Sequence, residues 1–471
     1  MEIVVIGGGI SGLSTAYAIE QEALARGDKA SVRVFEADGR LGGKIDTRTI
    51  DGFVIEGGVN GWLDSKPATD ELTRALGIYD ERLVSNDAAR RRFILRRGRL
   101  QEVPTGPGAF LKSGLLSPTG KLRLALEPWA RKRPDADESL ADFARRRLGP
   151  EALEALLDPM VSGIFAGDPE RMSLKSCFPR IFEIEAAYGG LIRGMIKIQK
   201  ERAALRKKTG SAKEVSAAGP GGKLISFAPG TSRLIESLRA RLRVPPVIGA
   251  KAASVVRAGA GYKIRFADGQ AVDAEKVVLA TPAYAASQIL RELDAEIAHE
   301  LAGIPYAAVS VVALAWRRAD MPHPLDGFGF VVPFAEGEEI LGTLWDSSVF
   351  ANRAPEGQVL LRSMVGGFRR GALALRGDDE IISSVVAVTK KLTGVEAVPR
   401  LAKVIRHERA IPQYVLGHGD RLARIDARLA RHDGLLLTGN AYHGVGLNDC
   451  TANAKRIATA VFEAAAGRGS A

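Results

Sequence analysis

The sequence is poor in cysteine, histidine and aromatic residues, and it has no long apolar run. Only Cys177 and Cys450 occur among 471 residues. Two thiols cannot build a disulfide framework or a cysteine zinc cluster, and the 6 histidines are too scattered for a metal-ligand spacing. No segment approaches the ~20 apolar residues of a spanning helix. The start, Met-Glu-Ile-Val-Val-Ile, lacks the basic and apolar regions of a signal peptide. These absences point to a cytoplasmic protein. Aromatics make up 6% of the chain and do not interleave with its basic runs, which counts against nucleic-acid binding.

What is present is globular: 46% hydrophobic and 26% charged residues, enough for two to four domains or lobes. Lys and Arg number 66 against 55 Asp and Glu, a net charge of +11. Such a surface suits an anionic membrane or an acidic small molecule. Basic residues crowd residues 88–208, as in Arg90-Arg91-Arg92, Arg131-Lys132-Arg133, Arg145-Arg146-Arg147 and Arg206-Lys207-Lys208. Helical character dominates there, over 139–157 and 191–206, and a polar loop is expected over 210–222. Further on, 255–266 reads as a hairpin, 277–280 as a buried strand, and 310–315, 328–333 and 435–437 as strands. A terminal helix is expected from about Asp449.

The first 36 residues carry the sharpest signal. A short apolar run leads into Gly7-Gly8-Gly9-Ile10-Ser11-Gly12, a helix follows, and a second apolar run ends at Glu36. Gly7, Gly9 and Gly12 match the dinucleotide-binding pattern of tight turn, close backbone approach and close helix packing. The helix N-terminus suits a pyrophosphate, and Glu36 suits ribose hydroxyls. Arg40 can reach the pyrophosphate, and Gly42-Gly43 allows close approach of a ring. Near the other end, Gly439 and the run Gly444-Val445-Gly446-Leu447 precede a second helix. A cofactor gripped by both chain ends is long and deeply held, which suits FAD over NAD. No second fingerprint follows a strand, since Gly259-Ala260-Gly261 falls in a hairpin turn.

At these residues the chain resembles the FAD-dependent amine oxidase/desaturase superfamily, and within it the oxygen-dependent protoporphyrinogen oxidases. The specific matches are residues 162–169 (SGIFAGDP), 326–333 (DGFGFVVP), 411–414 (IPQY) and 444–450 (GVGLNDC). The resemblance implies a mixed α/β and α+β fold. Its parts are a split Rossmann-like FAD domain over 1–87, 223–285 and 426–471, a helical membrane-binding lobe over 88–208, and a mixed-sheet, p-hydroxybenzoate hydroxylase-like substrate domain over 286–425. It implies six-electron oxidation of a porphyrinogen in haem synthesis by non-covalent FAD. Three O2 become three H2O2, and the flavin rather than a side chain carries the chemistry. It also implies peripheral contact with an anionic cytoplasmic membrane face and leaves a homodimer open.

By the same resemblance Ile10, Ser11, Ala37, Lys44, Gly57, Gly58, Ala252 and Ala280 join the glycines at the cofactor. Arg96 pairs with a substrate propionate, with Arg92 as the alternative, and a guanidinium fork suits that role. Gly163 turns a carbonyl to the pyrroles, Val331 packs on one ring, and Trp345 stacks on the macrocycle. His407 stands where many members have tryptophan. His407 and His443 are read as structural, and Cys450 as a small buried residue, not a covalent flavin link. A coproporphyrinogen III oxidase, or an amine oxidase or desaturase, remains the alternative. The helix 191–206 could lie at a membrane interface or be an ordinary solvated helix.

Overall fold

A computed structural model describes residues 1–131, 137–209 and 222–463. The expected loop 210–222, apart from Gly222, lies outside those residues, as do Lys132, Arg133 and the last residues of the segment 426–471.

The nucleotide-binding unit is assembled from distant segments. Strand β1 (Glu2–Ile6) leads through the glycine turn into helix α1 (Ile10–Arg26) and strand β2 (Ser31–Phe35). Strands β3 (Lys276–Leu279) and β4 (Leu435–Leu437) complete a parallel sheet of order β4-β3-β1-β2. Its strands are near-continuous apolar runs because helices and a hairpin cover both faces. One face packs on α1 and the terminal helix α2 (Leu447–Phe462), the other on the hairpin Ala252–Ala258/Gly261–Phe266.

A seven-stranded mixed sheet forms the second body. Its long strand Tyr306–Arg317 lies between the edge strand Leu401–Pro412 and Gln358–Gly366, followed by Ile340–Leu344, Gly329–Val331, Arg92–Arg96 and Arg99–Glu102. This corrects the expected 88–208 helical lobe. Residues 92–102 are strands of this sheet, because Phe93 and Leu95 alternate inward into its core. The first helix of the lobe is Pro107–Lys112, and the last is Leu191–Thr209. The helix expected over 139–157 is also broken. Leu140–Arg147 ends before Gly149, whose φ is 97°, and a π-turn at Leu153–Leu157 leads into Asp158–Phe165.

The lobe is organised around buried charge. The Arg147 side chain is fully buried, as is that of Glu127. Arg147 Nε donates to Glu185 at 2.8 Å, Nη1 donates to the carbonyls of Glu127 and Ala130, and Nη2 donates to that of Gly189. Glu127 in turn accepts the Leu191 and Ile192 amides at 2.8 and 3.0 Å, capping the last helix. Arg147→Ala leaves the Glu127 carboxylate buried without its counter-charge, while Glu185 keeps Arg146. It should destabilise the lobe by about 3–5 kcal/mol, read as a lowered thermal midpoint and faster proteolysis within residues 107–209. An unchanged midpoint would show that the network is dispensable.

Candidate functional site

At Gly7, φ is 112°, and a Cβ would lie 2.7 Å from the Ala280 carbonyl oxygen. A Cβ at Gly12 would lie 1.8 Å from the Gly7 oxygen. The protein's own packing therefore demands these two glycines. Gly9 differs: a Cβ there would meet nothing closer than the Gly42 oxygen at 3.9 Å. The space it leaves, between the glycine turn and the Gly42–Gly43 turn, could hold a pyrophosphate as a cradle. No side chain caps α1 at Gly9, so the helix N-terminus at Ile10 and Ser11 keeps its positive end for an anion.

Glu36 is buried at the end of β2. Its Oε2 accepts the Gly8 amide at 2.6 Å and its Oε1 the Asp38 amide at 2.8 Å. Each oxygen retains a lone pair for a ribose hydroxyl. Ala37 is exposed just beyond it. Ala252 is buried where its strand begins, shortly after the Ala250 amide donates to the Glu36 carbonyl at 2.8 Å. Arg40, expected to reach a pyrophosphate, donates to the carbonyls of Leu41, Gly43 and Ile45 and so braces the Gly42–Gly43 wall.

The C-terminal loop closes the other side. Gly439 and Gly444 have φ of 136° and 101°, and Val445 and Gly446 lead into Leu447 of α2. Thr281 Oγ1, Thr438 Oγ1 and the Tyr442 hydroxyl are buried without partners among the described residues. Thr281 and Thr438 lie just past the carboxyl ends of β3 and β4, where ligands of parallel sheets bind. These orphaned groups and the Gly9 cradle fit an FAD. Cys450 is buried, and burial pushes its thiol up to about 11, the reverse of what a reactive thiolate requires. His443 is exposed on the loop.

The floor beyond the cradle is Lys44, Gly57 and Gly58. A Cβ at Gly58 would lie 2.3 Å from the Lys44 carbonyl. The Lys44 ammonium has no ion pair among the described residues, and burial pulls its pKa down. His407 Nε2 donates to the Gly57 oxygen at 2.8 Å, and burial, aided by Lys44, lowers its pKa. Asn60 was not anticipated. Both its amide nitrogen and oxygen are buried and unpartnered. The only signal for it was a short polar residue two positions after the Gly57-Gly58 pair, past Val59.

Register gathers the substrate candidates on one face of the seven-stranded sheet. Val331 pairs with Ile94 and Gly342, Gly342 with Met364, Met364 with Val311, and Gly329 with Arg92 and Leu344. Val309 on the same face pairs with His407. A Cβ at Gly163 would lie 3.3 Å from Val331, so the helix Asp158–Phe165 covers this face. Trp345 is not on it. Its ring is fully buried behind the sheet, 5.4 Å from Phe93 and 6.5 Å from Phe330, which corrects the expected macrocycle stacking.

The two candidate arginines differ. Arg96 lies 3.8 and 3.9 Å from Glu151 and Glu154 of the helical lobe. The Arg92 guanidinium has no ion pair or hydrogen bond among the described residues; it lies over Phe328 at 5.2 Å, and burial lowers its pKa.

The two kinds of glycine should separate in mutants. Gly9→Ala should fold with an unchanged thermal midpoint and lose most of its flavin. Gly12→Ala should lose stability itself. Purified flavin content and apoprotein melting check both, and a flavin-replete Gly9→Ala protein would refute the cradle.

The model for flavin containing amine oxidoreductase matches residues 10–462. The chain is 34% identical to the chloroplastic protoporphyrinogen oxidase of Oryza sativa subsp. japonica, covering 98% of this chain and 88% of that one. It is 32% identical to the coproporphyrinogen III oxidase of Bacillus subtilis (strain 168), covering 95% of each. A crystal structure of an Exiguobacterium sp. 255-15 protein superposes with a TM-score of 0.83 at 27% identity, covering 98% of both chains. The chain belongs to the flavin-containing amine oxidoreductase family.

Proposed function

We propose that the protein oxidises protoporphyrinogen IX to protoporphyrin IX, with FAD as cofactor and three O2 reduced to three H2O2. The observation that carries this reading is the unpaired Arg92 guanidinium at the edge of an apolar sheet face that runs to the flavin floor. A porphyrinogen is a largely apolar tetrapyrrole with carboxylates along one side. Ile94, Val331 and Leu344 suit its pyrroles, and Arg92 suits a propionate. Arg96 is the weaker partner, because Glu151 and Glu154 already offset its charge.

Bound FAD would supply the two-electron acceptor for each of three rounds. The chain's residues do the rest: they bind, orient and exclude water. Gly163 keeps the covering helix slim over the pyrroles. The Asn60 amide can accept a pyrrole N–H. The His407 Nε2–H is committed to the Gly57 carbonyl, which orients the ring and leaves Nδ1 as its basic nitrogen.

Coproporphyrinogen III is the second reading, favoured by the similarity to the Bacillus subtilis oxidase. It carries four propionates and would need more free cations at the face than Arg92. Side-by-side aerobic turnover of both porphyrinogens, following porphyrin fluorescence and peroxide, separates the two. Protoporphyrinogen should be preferred, with about three peroxides per porphyrin from the stoichiometry above. Arg92→Ala should raise KM by about tenfold or more with flavin content intact, and Arg96→Ala by less. A preference for coproporphyrinogen, or a KM unmoved by Arg92→Ala, sinks that part of the reading.

The helical lobe docks in this reading on an anionic membrane. It exposes Leu111, Leu122 and Leu126, and Trp129 is 74% exposed. The Glu127–Trp129 turn packs on the helix Leu191–Thr209, which exposes Met195 and Ile196 beside Arg193 and Lys197. Basic residues near such a surface contribute ~1 kcal/mol each. None of the described helices is long and apolar enough to cross a membrane. In flotation with anionic vesicles the protein should bind at low salt and be weakened by high salt. Absence of binding at both rules out the docking.

A further inference from the structure

The Ile411-Pro412-Gln413-Tyr414 run ends the outer strand Leu401–Pro412 and then passes between the covering helix and the cofactor loop. Tyr414 is 2% exposed. Its hydroxyl donates to the Asn440 carbonyl at 2.7 Å and accepts the Gly444 amide at 2.9 Å. One hydroxyl thus staples both ends of a five-residue bend that contains Tyr442 and His443. The bend would otherwise hold a carbonyl and an amide with no partner, a costly arrangement away from water. Gly444 takes a φ of 101°, and a Cβ there would lie 2.6 Å from Asp449 in the first turn of α2. The staple therefore also sets where α2 begins.

The phenol ring is held rigidly. It stacks on His418 at 4.2 Å with an interplanar angle of 11°, and packs 6.1 Å from Phe165. The Tyr414 carbonyl accepts the Ser173 amide at 2.9 Å. Gln413 Nε2 donates to the Phe165 carbonyl at 2.8 Å, at the end of the helix that carries Gly163. Burial raises the Tyr414 pKa far above its ordinary value, so the hydroxyl keeps the proton it donates.

We propose that Tyr414 is a positioning residue whose hydroxyl holds residues 439–446 in the shape that receives the FAD, and that with Gln413 it ties this loop to the helix over the substrate face. Its effect on the cofactor would run through that loop. The inference rests on the FAD reading above.

The test uses the full chain purified as holoenzyme. Tyr414→Phe keeps the ring and its stacking and removes only the hydroxyl. FAD release on dilution, followed by flavin fluorescence, should accelerate about tenfold, the factor expected for a lost hydrogen bond that leaves buried groups unpaired. The visible circular dichroism of the remaining bound flavin should also shift. Tyr262→Phe is the control. Its hydroxyl donates to the Asp433 carbonyl at 2.6 Å, ahead of β4 and away from the loop. It should lower the thermal midpoint and leave FAD release unchanged. Release from Tyr414→Phe within twofold of wild type, or equal acceleration by Tyr262→Phe, overturns the positioning role. Wild-type protein that retains no FAD overturns the cofactor reading itself.

Discussion

The buried carboxylate of Glu56 is the constraint on which the two bodies of this protein depend. It accepts the Thr231 amide and hydroxyl at 2.8 Å each and the Thr47 hydroxyl at 2.7 Å, and faces Arg353 at 3.4 Å. Its own carbonyl accepts Arg362 at 2.6 Å, and Arg362 is paired with Asp346. Thr231 leads into a helix of the nucleotide-binding unit, whereas Arg353 and Arg362 belong to the substrate sheet region. A buried charge adds little net stability, but it tolerates few alternative arrangements because each lone pair needs a donor. Here it fixes orientation. The next two residues are Gly57 and Gly58, so the flavin floor is set by the group that joins the two bodies.

The same physics recurs where the helical lobe meets the rest. Arg147 satisfies Glu127 and Glu185 inside the lobe. Arg369 ties Asp158 and Asp168, at the two ends of the covering-helix segment, to the turn after the strand Gln358–Gly366. Apolar packing gives each body its core, and buried ion pairs set the angles between bodies. The macrocycle site proposed at that junction is shaped by three elements that share no sequence neighbourhood.

The nucleotide-binding unit was legible because most of its requirements are local. Gly12, β1 and Glu36 interact within one βαβ unit, where a Cβ at Gly12 would lie 1.8 Å from the Gly7 oxygen; the contact that forces Gly7 comes from distant Ala280. The hairpin and the later strands were legible from alternation and turn residues. Residues 92–102 were misjudged as part of the lobe because flanking arginines masked the alternating Phe93 and Leu95. Trp345 was misplaced because it lies one residue beyond Leu344, and a one-residue step in a strand exchanges faces.

The sequence by itself determined the chemistry on offer: a dinucleotide cradle at both chain ends, a slim glycine at 163 and a surplus of arginine. Those follow from spacing within short segments. Only the tertiary structure decided which of these groups is available. Arg92 and Arg96 lie on one strand with the same parity, and nothing near them in sequence separates them. Glu151 and Glu154 arrive from the helical lobe to engage Arg96, and among the described residues no carboxylate engages Arg92. Likewise a buried Asn60 amide without a partner is a property of what the fold fails to place beside it. Charge pairing and desolvation depend on distance in space, which the order of residues along the chain does not state.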